Sequence, residues 1–305
     1  MPVVENPLSK ASFRHQRSLA RGISSILSRR LPRSGRRLLR RLLVLPLDLA
    51  DLVMGRRKNL VPPRYLNYAG DGDFEKVGDE FLKYFVELGE LKPSDCVLEM
   101  GSGIGRMARP LTRYLTTGEY YGVEIVPEGV SWCQREITPR FSNFRFQPAE
   151  VYSAMYNPRG KYNAAEYRFP FDDGQFDFIF LTSVFTHMFK REMDNYLSEI
   201  ARTIGPHGKC LISLFLLNSE SRKLIGDGKS SLKFEFFRNG SYIEDERNPD
   251  RAVAFDEESV WEQYYRVGMT PEIVRYGGWC GRSDYLSYQD IVIARRDGPR
   301  KTICR

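Results

Sequence analysis

The sequence predicts a three-layer α/β sandwich: a seven-stranded, mostly parallel sheet with helices on both faces, plus a basic helical arm at the N-terminus. Three observations predict it. Short apolar runs alternate with helical segments from residue 74 onward, a glycine-rich turn follows the first of these runs, and basic charge is concentrated in the first 60 residues. Parallel neighbours need crossover connections, which the helical segments supply.

The chain of 305 residues has room for one sizeable α/β domain and an appendage. With 42% hydrophobic and 28% charged residues, it has the composition of an ordinary globular protein. The net charge of +7 hides an asymmetry. Residues 1–60 hold 14 Lys and Arg against Glu5, Asp48 and Asp51, a net +11, which leaves the rest at −4. This points the arm, rather than the body, at an anionic partner. Cys96, Cys133, Cys210, Cys280 and Cys304 form no CxxC pair and have no clustered histidines, which suits a reducing, cytoplasmic setting and predicts neither disulfide nor metal site.

Taken in order, residues 10–41 contain eleven basic residues and no acid, interleaved with leucines and isoleucines. They read as a basic amphipathic helix broken near Pro32 and Gly35. Residues 42–54 are apolar but interrupted by Pro46, Asp48 and Asp51, and fall short of the ~20 residues needed to span a bilayer. The arm, 1–58, is therefore expected to meet an anionic membrane surface through residues 10–54, with a mitochondrial presequence or a partner-binding arm as alternatives.

The main domain is drawn over 59–305. Residues 59–72, with Pro62, Pro63, Gly70 and Gly72, read as an irregular entry. A helix over 74–88 follows, with apolar residues at 77, 81, 82, 85 and 88 and a stop at Gly89. Strands are expected at 96–100, 120–125, 144–147, 176–182, 209–215, 272–276 and 286–294, with helices separating the first five. Residues 216–258 interrupt this alternation and are read as a substrate-side insertion.

The strongest local signal is Val97-Leu98-Glu99-Met100-Gly101-Ser102-Gly103-Ile104-Gly105-Arg106. A strand running through glycines into a helix start brings backbone N–H groups close to a ligand. The spacing is G-x-G-x-G rather than the dinucleotide G-x-G-x-x-G: Arg106 stands at the third-glycine position, and the Glu99 carboxylate suits an amino group better than a pyrophosphate. Glu124 closes the next strand, 19 residues beyond Gly105, where an acid can accept from a ribose diol.

These residues, with the turn over 169–180 and the Gly205-Pro206-His207-Gly208-Lys209 turn, resemble the class I S-adenosylmethionine-dependent methyltransferases over residues 74–295. The resemblance implies a Rossmann-like fold whose last strand runs antiparallel, with S-adenosylmethionine as cofactor and S-adenosylhomocysteine as product. It implies that Gly101, Ser102, Gly103 and Gly105 pass under the methionine part, with Glu99 holding its amino group and Arg106 nearby. Glu124 then takes the ribose and Ile125 lies against adenine. Glu150 takes the adenine amine, the Ala149 backbone donates to the ring, and Leu181, Thr182 and Ser183 lie at the strand end that faces the ligand. His187 follows that strand and is the candidate general base; Tyr152, Tyr156 and Tyr285 are further candidates for substrate contact.

The activity expected is methyl transfer to a small-molecule or lipid-like acceptor. The alternatives are a catalytically inactive binding module and an NAD(P)-dependent oxidoreductase. No flipped-base motif such as Asn-Pro-Pro-Tyr stands in the body, which argues against a nucleic-acid substrate.

Overall fold

The computed structural model describes residues 33–55, 58–68 and 72–297, so the expectations for residues 1–32 lie outside the described residues. Two compact units result, one from residues up to 59 with 63–67, the other from 60–62 with 68 onward.

The first unit holds helix α1 (Arg33–Val53) and a single 3-10 turn, Arg64–Leu66. The described helix starts at Arg33 and runs through Gly35, near which the sequence suggested a break, and on through Pro46. Pro46 removes one intrahelical hydrogen bond, and its leucine-rich flanks carry the helix across it. Asp48 accepts from the backbone N–H of Arg64 (2.9 Å) and of Tyr65 (3.1 Å), and the Arg64 guanidinium lies 2.5 Å from Asp51.

The second unit opens with α2 (Phe74–Glu87), capped by Asp73, whose carboxylate accepts from Glu75 N and Lys76 N. It then builds the sheet from β1 (Cys96–Met100), β2 (Glu119–Glu124), β3 (Phe144–Pro148), β4 (Phe176–Leu181), β5 (Ile204–Leu214), β10 (Met269–Arg275) and β11 (Asp290–Arg296), in the order β10-β11-β5-β4-β1-β2-β3. The first five strands pair in parallel, while β11 lies between β5 and β10 and runs antiparallel to both. Val97, Leu98, Phe178, Ile179 and Phe180 at the sheet centre are sealed from solvent, which is why β1 and β4 read as continuous apolar runs.

Helices α3 (Ala108–Tyr114), α4 (Pro127–Glu136) and α5 (Lys190–Thr203) make the crossovers after β1, β2 and β4. The crossover between β3 and β4 departs from expectation, because no helix forms there. Pro158, Gly160 and Pro170 break any helical run, and the segment folds back on itself through Ser153–Asn157 and Val151–Tyr162 pairings. The 205–209 turn also differs: it lies inside β5 as an irregularity, with His207 in the left-handed region (φ 66°).

The 216–258 insertion is a folded subassembly. It contains β6 (Leu216–Leu217), α6 (Ser219–Gly226), β7 (Phe236–Arg238), β8 (Ser241–Ile243) and β9 (Val253–Asp256), with the strands ordered β6-β9-β8-β7, before α7 (Glu257–Arg266) returns to the main sheet. Phe215, Phe234 and Trp279 form its aromatic core, with ring centroids 5.3–5.4 Å apart.

Asp290, fully buried at the start of β11, ties this core to the sheet. It accepts from Gly277 N (2.6 Å), Leu216 N (2.7 Å) and Trp279 Nε1 (2.8 Å), and Arg282 Nη1 lies 3.5 Å away. Burial pushes its carboxyl up to about 6 against the pull of these partners.

Candidate functional site

The carboxyl ends of β1 and β2 meet at the glycine-rich turn. The N–H groups of Gly101 and Ser102 both donate to the Val123 carbonyl (2.8 and 3.0 Å), bending the chain sharply out of β1. Gly101, Gly103 and Gly105 have φ of 87°, 57° and 77°, a region costly to any residue with a Cβ. Space is closed as well: a Cβ on Gly101 would stand 2.5 Å from Val184 Cγ2, and one on Gly105 2.8 Å from Ile137 Cδ1. Gly101 and Gly105 are therefore required by backbone geometry and by space.

Two buried acids flank the turn. Glu99, 1% exposed, accepts from the Tyr120 hydroxyl. Burial raises its carboxyl to about 8, assisted by the Glu124 charge and opposed by the Tyr120 hydrogen bond and by Arg106. Glu124 holds the turn itself, since Oε2 accepts from Gly103 N (2.6 Å) and Oε1 from Val126 N (2.8 Å). Burial raises this carboxyl too, while those backbone donors favour its charged form. Each oxygen has a second lone pair, so a diol can be accepted without breaking the clamp.

Ser102 is buried, and among the described residues its hydroxyl has no hydrogen-bond partner. Such an orphan is uncommon in a folded interior. Arg106 is half-buried with its guanidinium 5.8 Å from the Phe74 ring centre.

The adenine-side expectations fare unevenly. Ile125 is half-buried against the main core. Glu150 is exposed and paired with Lys161 (2.8 Å). The Ala149 N–H donates to the Glu124 carbonyl (2.9 Å), extending the β2–β3 pairing by one residue. Leu181 is sealed within the core, and the residue that reaches the surface at this strand end is Ser183.

Ser183, expected at this strand end, begins a polar chain to Ser213 and Gln289 that the sequence did not show. It sits just past β4 with φ 59°; its N–H donates to Ser213 Oγ (2.8 Å), Ser213 Oγ donates to Gln289 Oε1 (2.6 Å), and Ser183 Oγ donates to the same oxygen (3.1 Å). With its oxygen taken twice, Gln289 has its amide NH2 left for another acceptor. The three residues lie at 183, 213 and 289, and only the β4–β5–β11 pairing brings them together.

His187 ends a 3-10 turn, Phe185–His187. Its Nδ1 is 2.8 Å from the Asp250 carbonyl, so Nδ1 carries the proton and Nε2 keeps its lone pair, 3.5 Å from the Tyr156 hydroxyl. Burial lowers its pKa, which keeps the ring neutral. Tyr156 lies 6.4 Å, ring to ring, from Tyr68. Tyr68 is a further residue sequence reading missed. A Cβ on Gly129 would fall 2.2 Å from its hydroxyl and 2.4 Å from the Gly103 carbonyl, which puts that phenol beside the glycine turn. Burial and the nearby Glu124 charge raise its pKa. Tyr152 and Tyr285 are exposed.

A methyltransferase-domain family profile matches residues 72–247, more than half of the chain. The chain belongs to this methyltransferase family. Among solved structures, it is similar to the PH0226 protein of Pyrococcus horikoshii OT3, at 16% identity and a TM-score of 0.53, over 78% of this chain and 97% of that one. It is also similar to a SAM-dependent methyltransferase of Methanosarcina mazei (16% identity, TM-score 0.49, 70% of this chain and 98% of that one). A third likeness is to the 1,6-didemethyltoxoflavin-N1-methyltransferase of Burkholderia thailandensis (17% identity, TM-score 0.47, 84% and 88%).

The fold is that of the class I S-adenosylmethionine-dependent methyltransferases, and S-adenosylmethionine is their cofactor. The residues present fit it. The glycine cradle leaves backbone where side chains would stand, an acid closes each of the two strands beside it, and the orphaned Ser102 hydroxyl lies within the turn.

Proposed function

We propose that this methyltransferase transfers a methyl group to a small-molecule or lipid-like acceptor by direct in-line attack. The observation that carries the reading is the glycine turn clamped by Glu124 next to the buried Glu99. Bound there, the cofactor supplies an electrophilic sulfonium methyl and departs as S-adenosylhomocysteine.

The protein's own contribution is binding and alignment, which account for a large part of the rate in such transfers. Glu99, once ionised, pairs with an ammonium, and Gly101, Ser102 and Gly103 let the ligand approach the backbone. Glu124 uses its free lone pairs on a diol while its other lone pairs keep the turn in place. Ile125 offers an apolar surface to a purine, and Glu150 takes an exocyclic amine in exchange for Lys161. At the end of β4, the Gln289 amide faces the acceptor side as a donor. An acceptor protonated at its attacking atom needs a base, and the lone-pair Nε2 of His187 is the candidate. The 216–258 subassembly, joined to His187 through the Asp250 carbonyl, forms the substrate side of this arrangement.

The test is calorimetric titration with S-adenosylmethionine, S-adenosylhomocysteine and NADH, followed by an acceptor screen with a labelled methyl donor. Binding of the first two without NADH supports the cofactor reading. Binding of NADH alone overturns it in favour of an oxidoreductase. Cofactor binding without methyl transfer to any amine, phenol, carboxylate or lipid of the screen favours a binding module.

A further inference from the structure

Helix α1 raises a question that methyl transfer does not answer. Leu42, Leu45, Leu49 and Leu52 fall at i, i+3, i+7 and i+10, one face of the helix, and each is more than half exposed. Of the two acids of the same helix, Asp48 borders this face, three residues after Leu45 and four before Leu52, and Asp51 lies off it; both are engaged, Asp48 with the backbone of Arg64 and Tyr65, and Asp51 with the Arg64 guanidinium. Both carboxylates are thus held within the unit, sharing the Arg64 guanidinium, and among the described residues the leucine face has no partner. Upstream, residues 10–41 carry eleven Lys and Arg and no acid.

We propose that α1 is a membrane-surface anchor that lies flat on a bilayer of anionic phospholipid. The helix of 21 residues is about 30 Å long, yet among the described residues no helix is long and apolar enough to cross a membrane. A basic helix with one apolar face and paired acids fits the interface instead, with leucines in the acyl boundary and arginines at the phosphates. The leucine face selects a bilayer over a free phosphate or a nucleic acid, which would use the arginines and leave the leucines in water. The inference is independent of the proposed methyl transfer.

The test is flotation of the full chain with phosphatidylcholine vesicles, with and without phosphatidylglycerol, at low and high salt. The expected result is binding to the anionic vesicles that weakens with salt. In the Leu42→Asp, Leu45→Asp, Leu49→Asp variant the partition coefficient is expected to fall roughly 100-fold. S-adenosylhomocysteine titration and thermal melting run alongside show whether the variant retains its folded domain. A folded variant that floats like the wild type overturns the proposal, as does wild-type protein that ignores both vesicles. A leucine-dependent dimer in sedimentation without vesicle binding overturns it in favour of a second copy of the chain, and RNA binding that the leucine changes leave intact, without flotation, overturns it in favour of nucleic acid.

Discussion

Cofactor binding should release a proton, and Glu99 is its source. The carboxyl is buried and raised to about 8, so at pH 6.5 it is protonated in nearly every molecule of the free protein. Pairing with an ammonium requires the carboxylate, so binding at that pH should release about one proton per site. Titrating S-adenosylhomocysteine in buffers of different ionisation enthalpy reads that number as the slope of observed enthalpy against buffer enthalpy. Affinity should also rise by about tenfold per pH unit below 8. Glu99→Gln keeps an acceptor for the Tyr120 hydroxyl but has no proton to lose; it should bind more weakly, with no such slope. A wild-type slope of zero, or an equal slope in the variant, would refute the assignment. Stability carries the same signature. Because the folded carboxyl lies above its ordinary value of 4.5, its contribution is fully present below pH 4.5 and is lost as pH rises towards 8, at up to about 1.4 kcal/mol per pH unit. The variant should lack that loss in chemical denaturation.

Three further outcomes are expected. Glu124→Ala leaves Gly103 N and Val126 N without their buried acceptor, and should cost roughly 3 kcal/mol in urea denaturation while abolishing S-adenosylhomocysteine binding in calorimetry. Gly101→Ala places a Cβ 2.5 Å from Val184 Cγ2 at φ 87° and should cost roughly 2 kcal/mol; Val184→Ala in the same chain should recover part of this in thermal melts, the remainder being backbone strain. Asp290→Ala deprives Leu216 N, Gly277 N and Trp279 Nε1 of one shared acceptor, and should cost roughly 3–5 kcal/mol, with proteolysis of the 216–258 subassembly accelerated.

How far the sequence could be read depended on how local each determinant is. The glycine turn, β1 and β2 were legible because a turn with three positive φ angles demands glycine at fixed positions. The mostly parallel sheet followed from the alternation of apolar and helical segments, whereas its strand order was set only by the pairing. The β3–β4 connection was misread as helical although Pro158 and Gly160 were in plain view, because helix was expected there on alternation alone. The break expected near Gly35 failed in the other direction, since one glycine costs a helix only about 1 kcal/mol, which its neighbours can outweigh. The Ala149 amide illustrates a different limit: a backbone donor's partner depends on strand register, and Ala149 pairs one residue beyond the last residue of β3. Ser183, Ser213 and Gln289 are ordinary polar residues until three strands bring them together, and Tyr68 lay in a segment read only as a connection.

The position of β11 has a consequence for how the chain reaches its native state. It follows every other strand of the main sheet in sequence, yet lies between β5 and β10 rather than at an edge. As the polypeptide emerges from the ribosome, β5 presents a long, unpaired apolar border, with Leu211, Ile212 and Leu214 on it, until Ile291, Val292 and Ile293 have been made. Such a border invites association with other nascent chains. The interval between synthesis of β5 and arrival of β11 is therefore when this protein is most exposed to aggregation, and when a chaperone would have most to shield.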